Sequence, residues 1–531
     1  MPPKRAMTGK KTNLVFFQNT QNNGGFLAMI NYIKKSLCIV LIVSMLLMIA
    51  ACSGNETKPE PETEETTSGA DDTTAIQYEE DGLPADLSFS GETVTFLTIR
   101  AKEESDNDIF RNEVFADELS NDPINDSIYN RERFVEDRLG VEIEHYDVEL
   151  DNYNKAVIKQ QTSDEDTYQV YAASTVWFAP NVFNNYLQNL YEVDYLDFSR
   201  PWWSDLFAEQ AEIMGDLYLA TGSISLSMIR FLFVTFYNKV IAENFQASYP
   251  DLEDLYSIVE NGEWTFDRFY EICSSIYEDT NGNSESDEED LFGCVFLNGI
   301  DIDAMWSSFD INIFSRDDEG WFMLDVNTDK LYSALDMINK LVHETTGCYV
   351  PSNREDYGLN ELSDKFASST ALFMVNKLHA AESAVLRNMQ DEYGIVPFPK
   401  YDEAQKDYYT YAHDQYLSYS IPVTNPNPDT AGAVLEAMAS YSYRETRPIY
   451  LDMVLKGRYM NDPQSRKMVD LIVAGFKLDS SWIYNQSAGS FGAAFREVIR
   501  DHSTSYAVTY AKQSKEVSTG LKLLKKVFEA N

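Results

Sequence analysis

The sequence contains few of the residues, and none of the short motifs, that mark common enzyme families. Its 531 residues include five His and five Cys. The patterns G-x-S-x-G, H-E-x-x-H and G-x-x-x-x-G-K are absent, so no hydrolase elbow, zinc-protease helix or phosphate-binding loop is predicted. Because 86 Asp and Glu residues make chance acidic pairs certain, no glycosidase dyad can be identified among them. We therefore expect that the protein is not an enzyme.

Basic residues are also scarce. The chain has 42 Lys and Arg against 86 Asp and Glu, which gives a formal net charge of −44. Nucleic acids and anionic lipid surfaces are bound by clustered Lys and Arg side chains. The composition therefore predicts neither nucleic acid nor an anionic lipid surface as a partner.

Cysteine is too sparse to define a framework. Cys273, Cys294 and Cys348 follow the N-terminal region, and none of them belongs to a C-x-x-C pair. An odd number without paired spacing predicts neither a disulfide scaffold nor a zinc site. A single Cys273–Cys294 bridge remains open, and the pattern favours buried free thiols.

The N-terminal region reads as a secretory signal. Lys34 and Lys35 precede an apolar run at 37–49, and the sequence IAAC ends at Cys52. A basic start, a short apolar core and small residues before the cleavage site are typical of a signal peptide, and the core is too short to span a bilayer comfortably. The IAAC run resembles a bacterial lipobox, which implies a lipid on Cys52.

We therefore interpret residues 29–51 as a lipoprotein signal peptide and residues 1–28 as a mis-assigned upstream extension. The alternative is an ordinary cleaved signal in which Cys52 is incidental. Residues 53–81 contain ten acidic residues and one Lys, with almost nothing apolar. Such a segment cannot bury enough surface to offset the entropy of ordering, so residues 52–81 are predicted to be a disordered acidic tether.

Residues 82–531 are too long for one hydrophobic core and predict two lobes. Strand patterns at 94–99, 141–145 and 168–173 alternate with helical patterns, which indicates a parallel sheet in an α/β lobe. Such sheets bind ligands at the carboxyl ends of their strands. The loop 174–177, which follows the third strand, is therefore a candidate ligand contact.

Several separated stretches resemble the family 1 extracellular solute-binding proteins, the sugar-binding lipoproteins of Gram-positive bacteria. They are FVEDRLGVEI (134–143), GDLYLATG (215–222), FYNK (236–239), GEWTFD (262–267), DTNGN (279–283), YGIVPFPKY (393–401), SIPVT (420–424) and DPQS (462–465). Each motif is weak alone, but their order behind a lipobox is specific.

The resemblance implies an α/β, two-lobed periplasmic-binding-protein-like fold of type II, whose lobes close on a ligand about crossing hinge strands. It places lobe 1 at 82–225 and 417–480, and lobe 2 at 226–416 and 481–531. The crossings are expected near 223–238 and 412–422, both of which are rich in β-prone residues.

The function implied by the resemblance is capture of a solute for an ABC importer. We expect a lipid-anchored protein on the extracellular face of the membrane. Its expected partners are a small polar solute of the carbohydrate class and ABC permease subunits. Two other functions stay open: a surface glycoside-processing enzyme, and a ligand-binding sensor or scaffold.

Sugar clefts combine hydrogen-bonding groups with aromatic rings, because sugars present both hydroxyls and an apolar ring face. The positions of the strands and crossings select five candidate ligand contacts. These are Trp177, Tyr237, Trp306, Asp414 and Tyr416.

Residues 279–290 have the oxygen spacing of an EF-hand-like calcium loop. Positions 1, 3, 5, 7, 9 and 12 are Asp279, Asn281, Asn283, Glu285, Asp287 and Asp290, with Glu285 offering its backbone carbonyl. Ser284 replaces the usual Gly, and the last ligand is Asp rather than Glu. The loop predicts a structural calcium ion; the alternative is a solvated acidic turn.

Overall fold

The computed structural model describes residues 80–100, 109–163, 165–351, 359–452 and 463–530. The predicted extension 1–28, the signal peptide 29–51 and Cys52 lie outside these residues, as does the tether 52–81 except for its last two residues. These interpretations stay predictions. Among the described residues, no helix combines the length and apolar character that a membrane crossing requires.

The strands are numbered in chain order. They are β1 (Glu92–Arg100), β2 (Val141–Glu149), β3 (Val170–Ser174), β4 (Phe233–Asn238), β5 (Tyr277–Glu278), β6 (Leu291–Val295), β7 (Phe314–Arg316), β8 (Phe322–Leu324), β9 (Cys348–Tyr349), β10 (Ala371–Lys377), β11 (Tyr393–Val396) and β12 (Leu417–Ser420).

The helices are named by their bounds. The α-helices are Ile109–Val114, Pro123–Leu139, Leu150–Ser163, Thr175–Phe178, Asp205–Ala211, Ser227–Arg230, Lys239–Phe245, Leu255–Glu260, Phe266–Ser275, Ile300–Ser307, Thr328–His343, Leu359–Ala367, Ala384–Arg387, Pro428–Tyr441, Pro463–Ala474, Ser480–Ile483, Asn485–Ala488, Phe491–Arg500 and Tyr506–Phe528. Short 3-10 helices are Ala179–Asn184, Leu190–Glu192, Pro250–Leu252 and Leu378–Glu382, and Ser442–Thr446 is a π-helix.

The first sheet has the strand order β12-β3-β1-β2. As predicted, β1 pairs in parallel with β2 and β3, whereas β12 is antiparallel to β3. Successive side chains of β1 face opposite sides of the sheet. Val94 and Phe96 therefore pack in one apolar layer with helix Pro428–Tyr441, and Leu97 and Ile99 pack in the other with helix Leu150–Ser163.

Local signals define the helix that connects β1 to β2. Its N-cap is Asp122, whose carboxylate accepts the N–H groups of Ile124 at 3.0 Å and Asn125 at 3.1 Å. Pro123 occupies the first turn, where its missing N–H costs nothing. Gly140 ends the helix at a φ of 61°, a left-handed conformation that glycine adopts without strain.

The second sheet has the order β11-β4-β10-β6-β5, and β9 also pairs with β6. Strands β9, β6 and β10 run parallel, and β4 is antiparallel to both β10 and β11. Helix Phe266–Ser275 packs beside β6. The second sheet is thus a mixed α/β layer with its own parallel core.

Two chain crossings connect the sheets side by side. Ala220 and Tyr419 exchange backbone hydrogen bonds of 2.9 and 2.8 Å. Farther along, Leu232 forms an antiparallel bridge with Ala412, and the N–H of Phe233 donates to the carbonyl of Tyr411 at 2.9 Å. The two segments therefore run antiparallel to each other.

One lobe boundary differs from the prediction. Helix Pro463–Ala474, expected in lobe 1 as part of 417–480, packs against β11 of the second sheet. The hydroxyls of Ser465 and Tyr256 are 2.6 Å apart in that contact. The helix belongs with lobe 2 because its apolar face, which includes Met468 and Ile472, is buried there.

Candidate functional site

Polar residues collect at one edge of the second sheet. Strands β6 and β10 are parallel, so their carboxyl ends meet at the same edge. Asp301 and Asp303 follow β6 on helix Ile300–Ser307. Lys377 ends β10, and His379 lies in the 3-10 helix after it. This position is where an α/β sheet presents side chains to a ligand.

An ion pair anchors this edge. Asp303 is fully buried, and its carboxylate accepts the Nε–H of Arg496 at 3.0 Å together with a second guanidinium N–H. The indole of Trp306 lies beside the same carboxylate, with 3.4 Å between Nε1 and Oδ1. Asp301 accepts the backbone N–H of Leu297 at 2.8 Å. Burial of Asp303 is therefore compensated by both charge and hydrogen bonds.

The second crossing brings further carboxyl and hydroxyl groups to this edge. Asp414 is 9% exposed, and its Oδ1 lies 3.9 Å from Nε2 of His413. Burial and, secondarily, the nearby Asp303 raise the pKa of Asp414 to about 7. Burial likewise lowers the pKa of His413, so this imidazole stays neutral.

Several buried hydroxyls near the second crossing have no hydrogen-bond partner among the described residues. They include those of Tyr411, which is 2% exposed, of Ser174 at the end of β3, and of Ser418, Tyr419 and Ser420 on β12. Buried polar groups in folded proteins are nearly always satisfied, so each orphan hydroxyl needs an explanation. Ser174 also lines a cavity, so a hydroxyl-bearing ligand in that cavity would supply one for this residue.

The first lobe contributes an aromatic side chain to the site. Trp177 is 43% exposed and lines a cavity of about 270 Å³ with Leu150, Asn154 and Ser174. The cavity lies at the carboxyl ends of β1 and β3. The N–H of Val176 donates to the carbonyl of Asp414 at 3.1 Å, so the loop that carries Trp177 is fastened to the second crossing.

A larger cavity of about 830 Å³ lies between the lobes. Asn112 and Asn125 line it from the first lobe, and His379 and Glu382 line it from the second. Arg230, in the first crossing, also lines it and donates to Glu382 through Nε and Nη2, each at 3.2 Å. Burial, then the charges of Lys377 and Arg230, lower the pKa of His379 to about 3.

The sequence-predicted contacts lie in different places. Trp177 lines the smaller cavity, and Asp414 is buried in the second crossing beside His413; neither residue lines the larger cavity. Trp306 is fully buried and packs on Trp482, with ring centroids 5.5 Å apart.

Tyr237 and Tyr416 differ from their predicted position. Tyr237 packs on Tyr256 in the core of the second lobe, with ring centroids 5.6 Å apart, and Tyr416 packs on Phe207 at 6.1 Å. Both are buried, at 5% and 1% exposed. Both residues lie near the crossings, but their rings are buried against other aromatic side chains, so their role is packing. A direct role in binding stays a prediction without support from their positions.

Sequence reasoning missed Asp301, Asp303, Lys377, His379 and Arg496. Lys377 ends β10, and the other three lie on the helical segments that follow β6 and β10, so strand patterns at 291–295 and 371–377 were the available signal. Arg496 carries no such signal, because it reaches Asp303 from a helix 193 positions away.

The predicted calcium loop 279–290 joins β5 to β6. Both oxygens of Asp279 accept backbone N–H groups, from Gly282 at 2.7 Å and Ser284 at 2.9 Å. Asp290 is buried and accepts the N–H groups of Thr280 and Asp287, each at 3.1 Å. Ser284 adopts a φ of 64°, so it supplies the left-handed turn for which such loops normally use Gly.

Three further side chains of this loop meet. The amides of Asn281 and Asn283 donate to the carboxylate of Asp287 at 3.1 and 2.5 Å. No group of three or more His, Cys, Asp or Glu side chains is arranged to hold a metal ion anywhere in the described parts of the chain. A cation in this loop would therefore need the amide oxygens of the two Asn residues as ligands.

Comparisons with known proteins identify the fold. No family model and no curated protein matches the sequence. Among solved structures, an ABC substrate-binding protein from Listeria monocytogenes in complex with cycloalternan has a TM-score of 0.50 and 12% identity, covering 83% of this chain and 99% of that one.

Two more solved structures have a similar fold. A cyclo/maltodextrin-binding protein complexed with maltotetraose has a TM-score of 0.51 and 11% identity, covering 85% of this chain and 98% of that one. The sugar-binding protein MalE from Xanthomonas citri has a TM-score of 0.53 and 11% identity, covering 83% and 100%. They confirm the predicted two-lobed, periplasmic-binding-protein-like fold of type II.

The Asp303–Arg496 pair makes a prediction about stability. Arg496→Met should lower the free energy of unfolding by about 3 kcal/mol, because it leaves a buried carboxylate without its counter-charge. Adding Asp303→Asn should restore part of this loss. Chemical denaturation of the single and double variants measures both effects.

Arg500→Met is the matched control, since Arg500 is as exposed as Arg496, at 21%, but pairs with the exposed Glu497. Its effect should be about 1 kcal/mol or less. Equal losses in the free energy of unfolding for the two Arg variants would show that the buried ion pair stabilises the fold no more than the exposed one does.

Proposed function

We propose that this chain, which has the fold of the MalE-like binding proteins, is an extracellular solute-binding protein of an ABC importer. It captures a carbohydrate or similar small polar solute between its lobes and delivers it to permease subunits. The observation that carries this proposal is the position of the cleft. Polar groups and Trp177 lie at carboxyl strand ends of both sheets, beside the two crossings about which such lobes move.

The chemistry of the cleft fits a polyhydroxylated ligand. In the cavity that Trp177 lines, the carboxylate of Asp151 accepts hydrogen bonds, and the amide of Asn154 and the hydroxyl of Ser174 can donate or accept them. The indole of Trp177 offers an exposed apolar face. Sugars combine hydroxyls with an apolar ring face, so they match both kinds of group. The structural neighbours whose names mention cycloalternan and maltotetraose support the same class of solute.

A glycoside-processing enzyme is not favoured. The structural neighbours named above are binding proteins rather than enzymes. The sensor or scaffold alternative differs from the proposal only in its protein partner, which co-purification with permease subunits would identify.

The proposed cleft makes a prediction about affinity. Trp177→Ala should weaken binding of the best-bound saccharide about tenfold, because removal of one stacking ring costs on the order of 1 kcal/mol. Isothermal calorimetry with a panel of mono- and oligosaccharides measures the affinity of the parent and the variant.

Tyr191→Ala is the control, because Tyr191 has the same 43% exposure but lies outside both cavities. An equal loss in the two variants would contradict the assignment of Trp177. If no saccharide binds but peptides or other polar solutes do, the carbohydrate class is wrong.

The lipid anchor is part of the proposed function and rests on the sequence IAAC at 49–52. Cys52→Ala should release the protein into the medium or leave the signal uncleaved, because the anchoring thiol is lost. Fractionation of cells that express the full chain, with N-terminal sequencing, tests this. A processed variant that stays on the membrane would refute the anchor.

The loop 279–290 is proposed as a structural calcium site. The folded turn, the meeting of Asn281, Asn283 and Asp287, and the buried Asp290 support it. Calcium at millimolar concentration should raise the melting temperature of chelator-treated protein, because a ligand that prefers the native state stabilises it. Asp279→Ala with Asp287→Ala should abolish the rise.

Asp317→Ala is the matched control for this loop. Asp317 also orders a turn by accepting backbone N–H groups, from Glu319 and Trp321, but belongs to the β7–β8 hairpin. Its variant should keep the calcium response. An unchanged melting temperature in the parent would leave the acidic turn as the correct interpretation.

A further inference from the structure

The C-terminal helix carries a charge opposite to that of the whole chain. The chain has 86 Asp and Glu against 42 Lys and Arg. Helix Tyr506–Phe528 has five Lys and one acidic residue, Glu516, among its 23 residues. The whole-chain composition predicted no anionic lipid partner, but composition counts basic side chains and does not show where the fold places them.

Four of these lysines share one face of the helix. Successive residues of an α-helix lie about 100° apart around its axis. The exposed residues that fall within about 100° of arc, named the lysine face, are Val508, Lys512, Lys515, Thr519, Lys522, Leu523 and Lys526. At a rise of about 1.5 Å per residue, this face is about 27 Å long.

The opposite face of the helix is buried, which fixes the direction of the lysine face. The buried residues are Tyr506, Gln513, Val517 and Leu521. The helix packs there against β8 and helix Phe491–Arg500. Since these buried residues lie on the other side of the helix axis from the four lysines, the lysine face points into solvent.

The positive charges of the lysine face are not neutralised by the protein. No ion pair or hydrogen bond joins the four ammonium groups to another described residue. The fifth lysine, Lys525, lies outside the face, and its ammonium contacts the carboxylates of Asp317 and Glu319. Glu516 lies beside the face and is the one acidic residue of this helix. A local excess of positive charge therefore faces solvent.

Apolar side chains are exposed among the lysines. Val508 is 73% exposed at one end of the face, and Leu523 is 59% exposed near the other. On a lipid surface, lysine side chains hold their ammonium groups at the headgroups while neighbouring apolar side chains enter the boundary with the acyl chains. A helix face that combines clustered lysines with exposed apolar residues is thus suited to an anionic lipid surface.

We propose that the lysine face binds the anionic headgroups of a lipid membrane and thereby sets which side of the protein lies against it. Nucleic acid fits this face less well, because the face has neither an Arg for paired phosphate contacts nor an aromatic ring for base stacking. The proposal depends neither on the solute nor on a lipid at Cys52, although such an anchor would keep the face within reach of a membrane.

Two opposing electrostatic effects decide whether the face can bind. The net charge of −44 repels an anionic surface. Each lysine near such a surface strengthens binding about fivefold. Because the Debye length is about 8 Å at about 0.15 M salt, acidic residues on the other sides of the protein are screened from the membrane, whereas lysines in contact with it are not. Attraction should therefore prevail at that salt concentration and be lost at about 1 M.

Binding to vesicles tests the proposal. The full chain with Cys52→Ala, which cannot carry a lipid on that thiol, is mixed with vesicles of phosphatidylcholine alone or with equal parts of phosphatidylglycerol. Co-sedimentation should show stronger binding to the vesicles that contain phosphatidylglycerol. The apolar run 37–49 is present in every sample, so the difference between the two compositions reports the part of binding that depends on charge. Equal binding to both would overturn the proposal.

Two sets of substitutions with the same change in net charge separate position from total charge. The first set is Lys512→Gln, Lys515→Gln, Lys522→Gln and Lys526→Gln. It should weaken binding to phosphatidylglycerol about a hundredfold, and Arg at the same four positions should preserve binding. The control set replaces four exposed lysines elsewhere by Gln, at Lys155, Lys159, Lys406 and Lys467. Equal losses for the two Gln sets would contradict a role for the lysine face.

Lysine acetylation followed by mass spectrometry locates the contact in the same unsubstituted lysines. Vesicles with phosphatidylglycerol should protect the four lysines of the lysine face and leave the four control lysines reactive. If these vesicles protect none of them but soluble polyglutamate protects the lysine face, the partner is an acidic polypeptide and the lipid proposal is wrong. Thermal melting followed by circular dichroism should be unchanged in every variant, because the replaced side chains face solvent.

Discussion

The antiparallel pairing of the two crossings is the constraint on which the cleft depends. Ala220 pairs with Tyr419 at the first sheet, and Leu232 pairs with Ala412 near the second. Because backbone hydrogen bonds hold these segments together, both lobes present their strand ends toward the same junction. The N–H of Val176 donates to the carbonyl of Asp414, so the loop that carries Trp177 is bound to the second crossing.

The charges near this junction show a balance between stability and binding. Asp303 is buried with a full counter-charge from Arg496, whereas Asp414 lies nearby with a pKa raised to about 7. Burial of a carboxyl group without strong partners disfavours its charged form. The free energy of unfolding therefore falls as the pH rises through about 7, where Asp414 loses its proton in the folded protein. Tyr411, with its unsatisfied hydroxyl, adds a second such cost. Polar groups kept in this state are available to a ligand.

Position along the chain selected the candidate ligand contacts, and the structure places their side chains differently. Trp177 follows a strand and lines a cavity, whereas Asp414, chosen for its place in a crossing, is 9% exposed. Tyr237 and Tyr416 were selected by the same argument but are turned into the core, because alternate side chains of an extended segment face opposite sides. Which side faces the cleft depends on the pleat and on the neighbouring strands. Neither can be read from a single segment.

The sequence by itself determined what local chemistry controls. The α/β class, the parallel pairing of β1 with β2 and β3, and the helix end at Gly140 follow from periodicity and backbone preference. The crossings were expected only from the family resemblance. Only the tertiary structure decided which distant side chains meet. Arg496 reaches Asp303 across 193 positions, because the packing of whole helices sets that contact.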